Sequence, residues 1–359
     1  MNITKANPSQ LRKTIETTSR KISADLGRPV RIMEVCGTHT VSLRRHGIHS
    51  ILPDSIRMIS GPGCPVCVTP ISYVDNAINL IEQHDVAIAT FGDMVRVPGS
   101  DGRSLSLFRS EVDIVYSPSQ LIDIAESRTK PVVFLGIGFE TTIPTVLRAI
   151  ADSAKRNMGN LYFYTSFRLV QPALEALLAE NDHGIDGFLL PGHVSIVLGA
   201  DGYAFLSPFG VPGAITGFEP VEILTGINSL LGSVASASGS ITNDYAYVVR
   251  PEGNPRALKL MDDMLEPADA IWRGLGTISL SSLVLNDEYR HFDAADRFGL
   301  EEHEAADVGG CKCGEVISGK TLPPECRHFG SRCTPENPVG PCMVSSEGTC
   351  SAYLRYVAP

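Results

Sequence analysis

The cysteines of this 359-residue chain fall in two separate regions, and this division constrains the fold more than any other feature. Three lie early, at Cys36, Cys64 and Cys67, and no further cysteine occurs before Cys311. Six then follow near the end of the chain: Cys311, Cys313, Cys326, Cys333, Cys342 and Cys350. Structural disulfides are rare in a reducing compartment, so this many cysteines predict other chemistry. We interpret the sparse early group and the dense late group as two different sites.

The charge and hydropathy of the chain argue against several classes of function. It carries 30 Lys and Arg against 40 Asp and Glu, a formal net charge of −10, without a long basic run. Non-specific nucleic-acid binding is therefore not expected. The N-terminus lacks the apolar core of a secretory signal, and no apolar run approaches the ~18 residues that cross a bilayer. We expect a soluble, cytoplasmic protein with neither nucleic-acid nor membrane partners.

Short apolar runs alternate with helical patterns along most of the chain. This alternation predicts an α/β fold with parallel strands rather than an all-β fold. The length corresponds to two or three domains at about 150 residues each. The predicted strands span residues 30–35, 55–60, 85–90, 112–116, 131–136, 161–166, 187–192 and 213–217.

Helical spacing follows several of these strands. Apolar residues from Ile71 to Ile81 share one helical face, and residues 117–127 combine a serine N-cap with an apolar face. Residues 171–180 predict a further helix, and residues 255–272 also have a helical pattern.

The two halves of the chain contain similar segments in the same order. The pairs are 30–40 with 132–142, 56–65 with 188–195, and 88–97 with 214–224. We therefore predict two related α/β lobes with parallel sheets, in which glycine turns at the strand ends face a shared cleft. The first lobe spans 28–130 and the second spans 131–225. Residues 1–27 and 226–359 form a helical and irregular third unit that contains a C-terminal iron–sulfur domain.

Cys36 lies at the end of a predicted strand, just before a helix with Thr38 or Thr40 as its N-cap. A helix N-terminus stabilises negative charge and lowers the pKa of a thiol, which favours a thiolate ligand or nucleophile. His39 is near enough in sequence to exchange a proton with it. The alternative is a buried strand-end cysteine that behaves as a small apolar residue.

Cys64 and Cys67 form a C-x-x-C pair inside "GPGCPVC", again just before a helix. A C-x-x-C pair at a strand-to-helix turn favours a redox dithiol. Two inert buried thiols and one half of a zinc site are the alternatives, although no second C-x-x-C lies nearby.

The last fifty residues are rich in glycine and proline and predict irregular loops that bound metal would order. Disulfides, a zinc site and an iron–sulfur cluster are the three interpretations of their cysteines. We favour the cluster, since it takes four thiolates from irregular, proline-containing loops. Our first choice of ligands is Cys313, Cys326, Cys333 and Cys350, with Cys342 and Cys311 in reserve.

Two further polar residues, Glu140 in "GFETT" and His193 in "PGHVS", lie in turns after apolar strands. A lone Glu or His in such a turn is more often a cap or a surface residue. In the two-lobe interpretation both turns face the cleft, where these side chains and His39 would transfer protons. The chain has no Walker A sequence, so nucleotide hydrolysis is not expected.

Taken together, these motifs resemble those of the HypD family of hydrogenase maturation factors. The matching stretches span nearly the whole chain in order, and their joint pattern is far more specific than any one of them. They are "CGTHT" at 36–40, "GPGCPVC" at 61–67, "GFETT" at 138–142, "PGHVS" at 191–195 and the cysteine-rich tail from "CKCGEV" to "EGTC".

The resemblance implies a scaffold on which the Fe(CN)2CO unit of nickel–iron hydrogenase is assembled, with the small chaperone HypC and the cyanide-supplying HypE. By this resemblance Cys36 holds the iron and shares it with a cysteine of HypC. Cys64 and Cys67 then form a dithiol–disulfide pair, and the C-terminal cysteines hold a 4Fe-4S cluster that passes electrons to that pair. The protein would be a redox-active assembly scaffold rather than a conventional turnover enzyme.

Two rival functions remain open at this point. A stand-alone iron–sulfur thiol/disulfide reductase would not need Cys36 for its activity. A zinc-stabilised binding module would have no redox role at all.

Overall fold

Two parallel β-sheets organise the chain in a computed structural model that describes residues 7–180, 183–305 and 308–356. The first sheet has the strand order β2-β1-β7-β8-β9, and all four pairings are parallel. Its strands are β1 (Val30–Glu34), β2 (Ile56–Ser60), β7 (Gly187–Pro191), β8 (Gly213–Thr216) and β9 (Ile241–Asn243).

The second sheet has the order β4-β3-β5-β6 and is also parallel throughout. Its strands are β3 (Ala87–Thr90), β4 (Val112–Ile114), β5 (Val132–Gly138) and β6 (Leu161–Phe167). The eight predicted strands all coincide with strands of these two sheets, and the α/β class with parallel sheets is confirmed.

Helices connect the strands and cover the sheets. They are α1 (Pro8–Leu26), α2 (Gly37–Arg45), α3 (Ile48–Ile51), α4 (Pro65–Val68), α5 (Ile71–His84), α6 (Leu121–Ser127), α7 (Ile143–Lys155), α8 (Val170–Ala179), α9 (Gly192–Leu198), α10 (Pro220–Ala235), α11 (Pro255–Met264), α12 (Ala294–Phe298), α13 (Cys313–Ile317), α14 (Pro341–Val344) and α15 (Thr349–Tyr356). Short 3-10 segments include Gly92–Arg96, Leu105–Leu107, Pro118–Gln120, Asp201–Phe209, Arg290–Phe292 and Pro323–Glu325.

Each sheet is buried on both faces, as its nearly continuous apolar strands require. Successive side chains of β5 alternate between two cores: Val133 and Leu135 enter a central core, and Val132 and Phe134 enter an outer one. The strands of the first sheet alternate in the same way between the central core and a third core beneath α1 and α10. The central core thus receives side chains from both sheets, and it also contains Cys64 and Cys67.

The strands are not grouped as two consecutive lobes, 28–130 and 131–225. The first sheet combines β1 and β2 with β7, β8 and β9, whereas β3 to β6 form the second. The expected boundary between residues 130 and 131 therefore falls inside the second sheet, between β4 and β5. Alternation of strands and helices indicates parallel pairing but does not determine which strands are neighbours.

The helical prediction for residues 255–272 is wrong in its second half. The helix α11 ends at Met264, and an antiparallel hairpin follows, with strands β10 (Leu265–Trp272) and β11 (Gly276–Leu285). A two-stranded hairpin is stable only when it packs on other elements, and β11 packs against α8 and β6, which are distant in sequence. In the described part of the chain, no helix is long and apolar enough to span a membrane.

Phe163 tests the packing of the outer core of the second sheet. Its ring is fully buried and meets Phe134 and Phe292 edge to face, with centroids 6.1 and 6.3 Å away. We expect Phe163→Ala to lower the free energy of unfolding by about 3–5 kcal/mol. Tyr116→Ala, at a side chain that is 91% exposed, should change it by no more than about 0.5 kcal/mol. Urea denaturation followed by circular dichroism measures both, and equal losses would contradict the assignment of the core.

Candidate functional site

The candidate site lies at the carboxyl edge of the first sheet. Because its strands are parallel, the turns that follow β1, β2, β7 and β8 emerge at the same edge. The segments after these strands contain Cys36, Cys64, His193 and Gly217 respectively. Three of the motifs from the sequence analysis therefore meet at one place, together with Gly217.

Cys36 is itself the N-cap of α2, so neither Thr38 nor Thr40 occupies that position. Its backbone is in direct contact with the turn that leads to Cys64. The Gly37 N–H donates to the Gly63 carbonyl at 3.1 Å. A Cβ at position 63 would lie only 2.5 Å from the Cys36 nitrogen, so the contact requires glycine. The turn with Cys64 is thereby held beside Cys36.

The surroundings of Cys36 do not make its thiol acidic, contrary to the expectation from the helix N-terminus. Burial, followed by the negative charge of Glu347, raises the pKa of Cys36 to about 11. Hydrogen bonds from the His39 and Thr38 backbone oppose this rise without cancelling it. Desolvation of the charged form outweighs the short helix.

Cys64 and Cys67 are joined as a disulfide across the single turn of α4, with their Cα atoms 5.2 Å apart. Cys64 caps this helix, and its Sγ accepts the Cys67 N–H at 3.3 Å. Both side chains are buried. The predicted pair is thus brought together, at a Cα separation that a disulfide allows.

The helix α4, which contains Cys67, packs against α13 and α14, two short helices of the cysteine-rich tail. The first begins with Cys313 and the second contains Cys342. The end of α4 is fixed by Arg273 of the hairpin turn: its N–H donates to Val68 O at 2.8 Å and its Nε to Thr69 O at 3.0 Å. The early and late cysteines therefore belong to adjoining sites.

One small cavity is lined by every cysteine of the tail. Cys313 Sγ lies 2.7 Å from Cys342 Sγ. Hydrogen bonds with the thiols of Cys313 and Cys350, together with burial, raise the pKa of Cys342. Burial also raises the pKa of Cys333, and the charges of Cys350 and Cys326 add to this effect. His328 and Phe329 complete part of the wall.

This arrangement of thiols suits a polynuclear iron–sulfur centre. Each thiolate of a 4Fe-4S cluster binds a different iron, so its ligands line a cavity instead of meeting at one point. The four first-choice ligands all face the cavity, as do the two reserve cysteines. Among the residues that the structure describes, no three His, Cys, Asp or Glu side chains are grouped so that they would hold a single metal ion.

Glu347 is a site residue that the sequence analysis missed. Its carboxylate accepts a hydrogen bond from Thr38 Oγ1 at 2.6 Å, and its backbone lies against Gly37, where a Cβ would come within 2.6 Å of the Glu347 carbonyl. Its charge acts on both Cys36 and His193. Its position three residues before Cys350, in "EGTC", gives no signal of this contact, because the segments are separated by most of the chain.

His39 and His193 both pack against Phe218, with ring centroids 4.8 and 4.2 Å from it. His39 is buried, its Nε2 lies 3.0 Å from Gly217 O, and its Nδ1 has no partner. Burial lowers the pKa of His39 to about 4, so the ring is neutral near pH 7. His193 is exposed, and partial burial of its ring lowers its pKa to a lesser extent.

Glu140 is buried rather than open to a cleft. One carboxylate oxygen accepts the Val170 N–H at 2.8 Å, and the other has no partner. Burial raises the pKa of Glu140 to about 7. The charges of Glu140 and Cys36 both act on Tyr203, whose hydroxyl lies 3.0 Å from Ser195 Oγ. The buried Tyr203 is therefore near both Glu140 and Cys36.

The chain is similar to proteins named as hydrogenase maturation or formation factors. The profile of the HypD family, described as the hydrogenase formation hypA family, matches residues 9–357. The chain is 40% identical over 357 residues to the hydrogenase maturation factor HypD of Escherichia coli strain K12, covering 97% of this chain and 96% of that protein. It is 39% identical over 348 residues to the hydrogenase maturation factor HypD of Rhodobacter capsulatus, covering 94% and 92%.

The buried carboxyl group of Glu140 predicts a specific pH dependence of stability. Its pKa rises from 4.5 to about 7 on folding, so folding favours the protonated form. The stability contributed below pH 4.5 is lost as the pH rises through about 7, a difference of about 3 kcal/mol. Glu140→Gln should remove this loss, and Glu288→Gln, at an exposed position, should not. Urea unfolding between pH 4 and 8 measures it, and parallel curves for wild type and Glu140→Gln would refute it.

Proposed function

Since this chain belongs to the HypD family of hydrogenase maturation factors, we propose that it is the scaffold on which the Fe(CN)2CO unit of nickel–iron hydrogenase is assembled. The observation that carries this proposal is the convergence of three groups of sulfur atoms. Cys36 adjoins the turn of Cys64, and the helix of Cys64 and Cys67 packs on the helices of the tail cavity.

Cys36 is proposed as the thiolate that binds the iron. Cyanide and carbon monoxide favour low-spin ferrous iron, a soft centre that thiolate ligands suit. Because the pKa of Cys36 is raised to about 11, the thiol is protonated near pH 7 and must lose its proton when it binds iron. Binding of iron by Cys36 would therefore release a proton. His39, Glu140 and His193 stay predicted participants in such proton transfer.

Cys64 and Cys67 are proposed as a redox couple that exchanges two electrons with the assembling unit. Reduction of their disulfide gives two thiols, and oxidation restores the bond. The couple is buried, so its electrons must arrive through the protein. Packing of α4 on the helices of Cys313 and Cys342 supports a route from the tail cavity.

A 4Fe-4S cluster in the tail cavity is proposed as the source of these electrons. Its ligands would be Cys313, Cys326, Cys333 and Cys350, with Cys342 and Cys311 as the reserve. When bound, such a cluster supplies single electrons at a potential that its surroundings tune. Most residues of α4 and α14 are buried, so water would have little access between the two proposed centres.

The partners proposed for assembly are HypC, which would share the iron through a cysteine, and HypE, which would supply cyanide. Support for a docking surface comes from aromatic side chains beside the Cys36 region. Phe218 contacts the ring of His39, and Tyr245 packs edge to face on both Phe218 and Tyr247. Tyr247 is 67% exposed, and exposed aromatic groups are favoured at protein interfaces.

Infrared spectroscopy tests the role of Cys36. The complex of this chain with HypC, purified without oxygen from cells that make the other maturation proteins, should show stretching bands of metal-bound cyanide and carbon monoxide. Cys36→Ala should lose the bands, and Cys36→Ser should lose most of them because a hydroxyl is a poor ligand for soft iron. Cys311→Ala, a change at the rim of the tail cavity, should keep them. Bands that persist in Cys36→Ala would exclude this scaffold function and favour a stand-alone reductase.

Metal analysis tests the proposed cluster separately. The full chain purified without oxygen should be brown and contain about four irons, as expected for one 4Fe-4S cluster. Cys326→Ala and Cys333→Ala should lose the colour and most of the iron, whereas Cys311→Ala should retain both. Colourless wild-type protein with bound zinc would instead support a zinc-stabilised module.

A further inference from the structure

The loop of residues 345–348 covers the start of α2, where Cys36 lies. It joins the helix that contains Cys342 to the helix that contains Cys350. Its Glu347 accepts the Thr38 hydroxyl at 2.6 Å and lies against Gly37. Cys36 itself is only 9% exposed. The loop therefore packs against the residues that directly follow the buried Cys36.

Asp93, beside the second sheet, also binds the loop of residues 345–348. Its Oδ2 accepts hydrogen bonds from Ser345 Oγ at 3.0 Å, from the Ser346 N–H at 3.1 Å and from Ser346 Oγ at 3.5 Å. Asp93 lies in the 3-10 turn Gly92–Arg96, directly after β3 of the second sheet. The loop is thus held between the two sheets.

Arg96 extends this attachment from the same turn. Its guanidinium donates to Pro335 O at 2.8 Å and to Val344 O at 3.4 Å. Both acceptors belong to the tail, and Val344 directly precedes the loop. Hydrogen bonds to an ionised carboxylate are stronger than neutral ones, so Asp93 is the main anchor for residues 345–346.

We propose that Asp93 is a positioning residue of the Cys36 site, which acts by keeping the loop of residues 345–348 closed over the thiol. Its effect reaches Cys36 through Glu347, since Ser346 and Glu347 are adjacent. The functional role of the closed loop rests on the proposed function of Cys36. Closure of the loop by Asp93 requires neither iron nor a partner.

Thiol labelling of the full chain tests this inference directly. Wild type and variants, purified without oxygen, are exposed to N-ethylmaleimide for increasing times, digested with trypsin and analysed by mass spectrometry. The peptide 32–44 contains Cys36 as its single cysteine. Asp93→Ala should label Cys36 about tenfold faster, because the hydrogen bonds that oppose opening of the loop are lost. Asp93→Asn should restore much of the protection, since its amide oxygen still accepts.

Two controls separate loop opening from general loosening. Asp75 accepts the Ser100 N–H at 2.9 Å in another loop, so Asp75→Ala removes a comparable bond and should label Cys36 at the wild-type rate. The peptide 321–327 contains Cys326 alone and should label equally in wild type and Asp93→Ala. An unchanged Cys36 rate in Asp93→Ala would overturn the inference, and so would equal acceleration of Cys326 or of Asp75→Ala.

The labelling result does not depend on the proposed function. If Cys36→Ala leaves the cyanide and carbon monoxide bands intact, the scaffold function fails while faster labelling of Asp93→Ala still supports the positioning role. If labelling is unchanged but the bands require Cys36, the positioning role fails and the scaffold function stands.

Discussion

The site depends on two places where backbone meets backbone without a side chain between them. At Gly63, the turn of the C-x-x-C pair rests on the Cys36 nitrogen, and at Gly37, α2 rests on Glu347 of the tail. A methyl group at either position would force the segments apart, because the opposing atoms belong to backbone or to Cβ and cannot move independently. These contacts bring together segments that lie far apart in the sequence. The chemistry proposed for the sulfur atoms presupposes this closeness.

Burial disfavours the charged forms of Cys36, Glu140 and His39. The raised pKa values of Cys36 and Glu140 and the lowered pKa of His39 share one principal cause, the cost of charge away from water. A buried site of this kind is stable while it is neutral. It becomes charged only when a bound cation or a rearranged neighbour compensates for that cost. The proposed binding of ferrous iron by Cys36 would provide such compensation, which links metal binding to proton release.

Much of this structure could be predicted from the sequence, and the parts that could not have identifiable reasons. The strands were predictable because buried parallel strands are short, apolar and bounded by glycine. The order of the strands was not, since β1 could pair with either half of the chain until the packing selected β2 and β7. The pKa of Cys36 was predicted in the wrong direction because a helix start is visible in sequence while burial is not. Glu347 escaped notice for the same reason: its partner Thr38 is a tertiary neighbour only.

The cysteine-rich tail therefore forms part of the Cys36 site, and it also contains the cavity lined by its own six cysteines. Its helix α15 packs on α2, where the guanidinium of Arg44 lies 3.5 Å from the ring centre of Tyr353, and its loop reaches Asp93 at the second sheet. A segment this irregular has little core of its own, so whatever orders its cavity also sets the position of these contacts. The two groups of cysteines, distant in sequence, are thus joined by direct packing, and the tail forms part of the surroundings of the thiol proposed to bind iron.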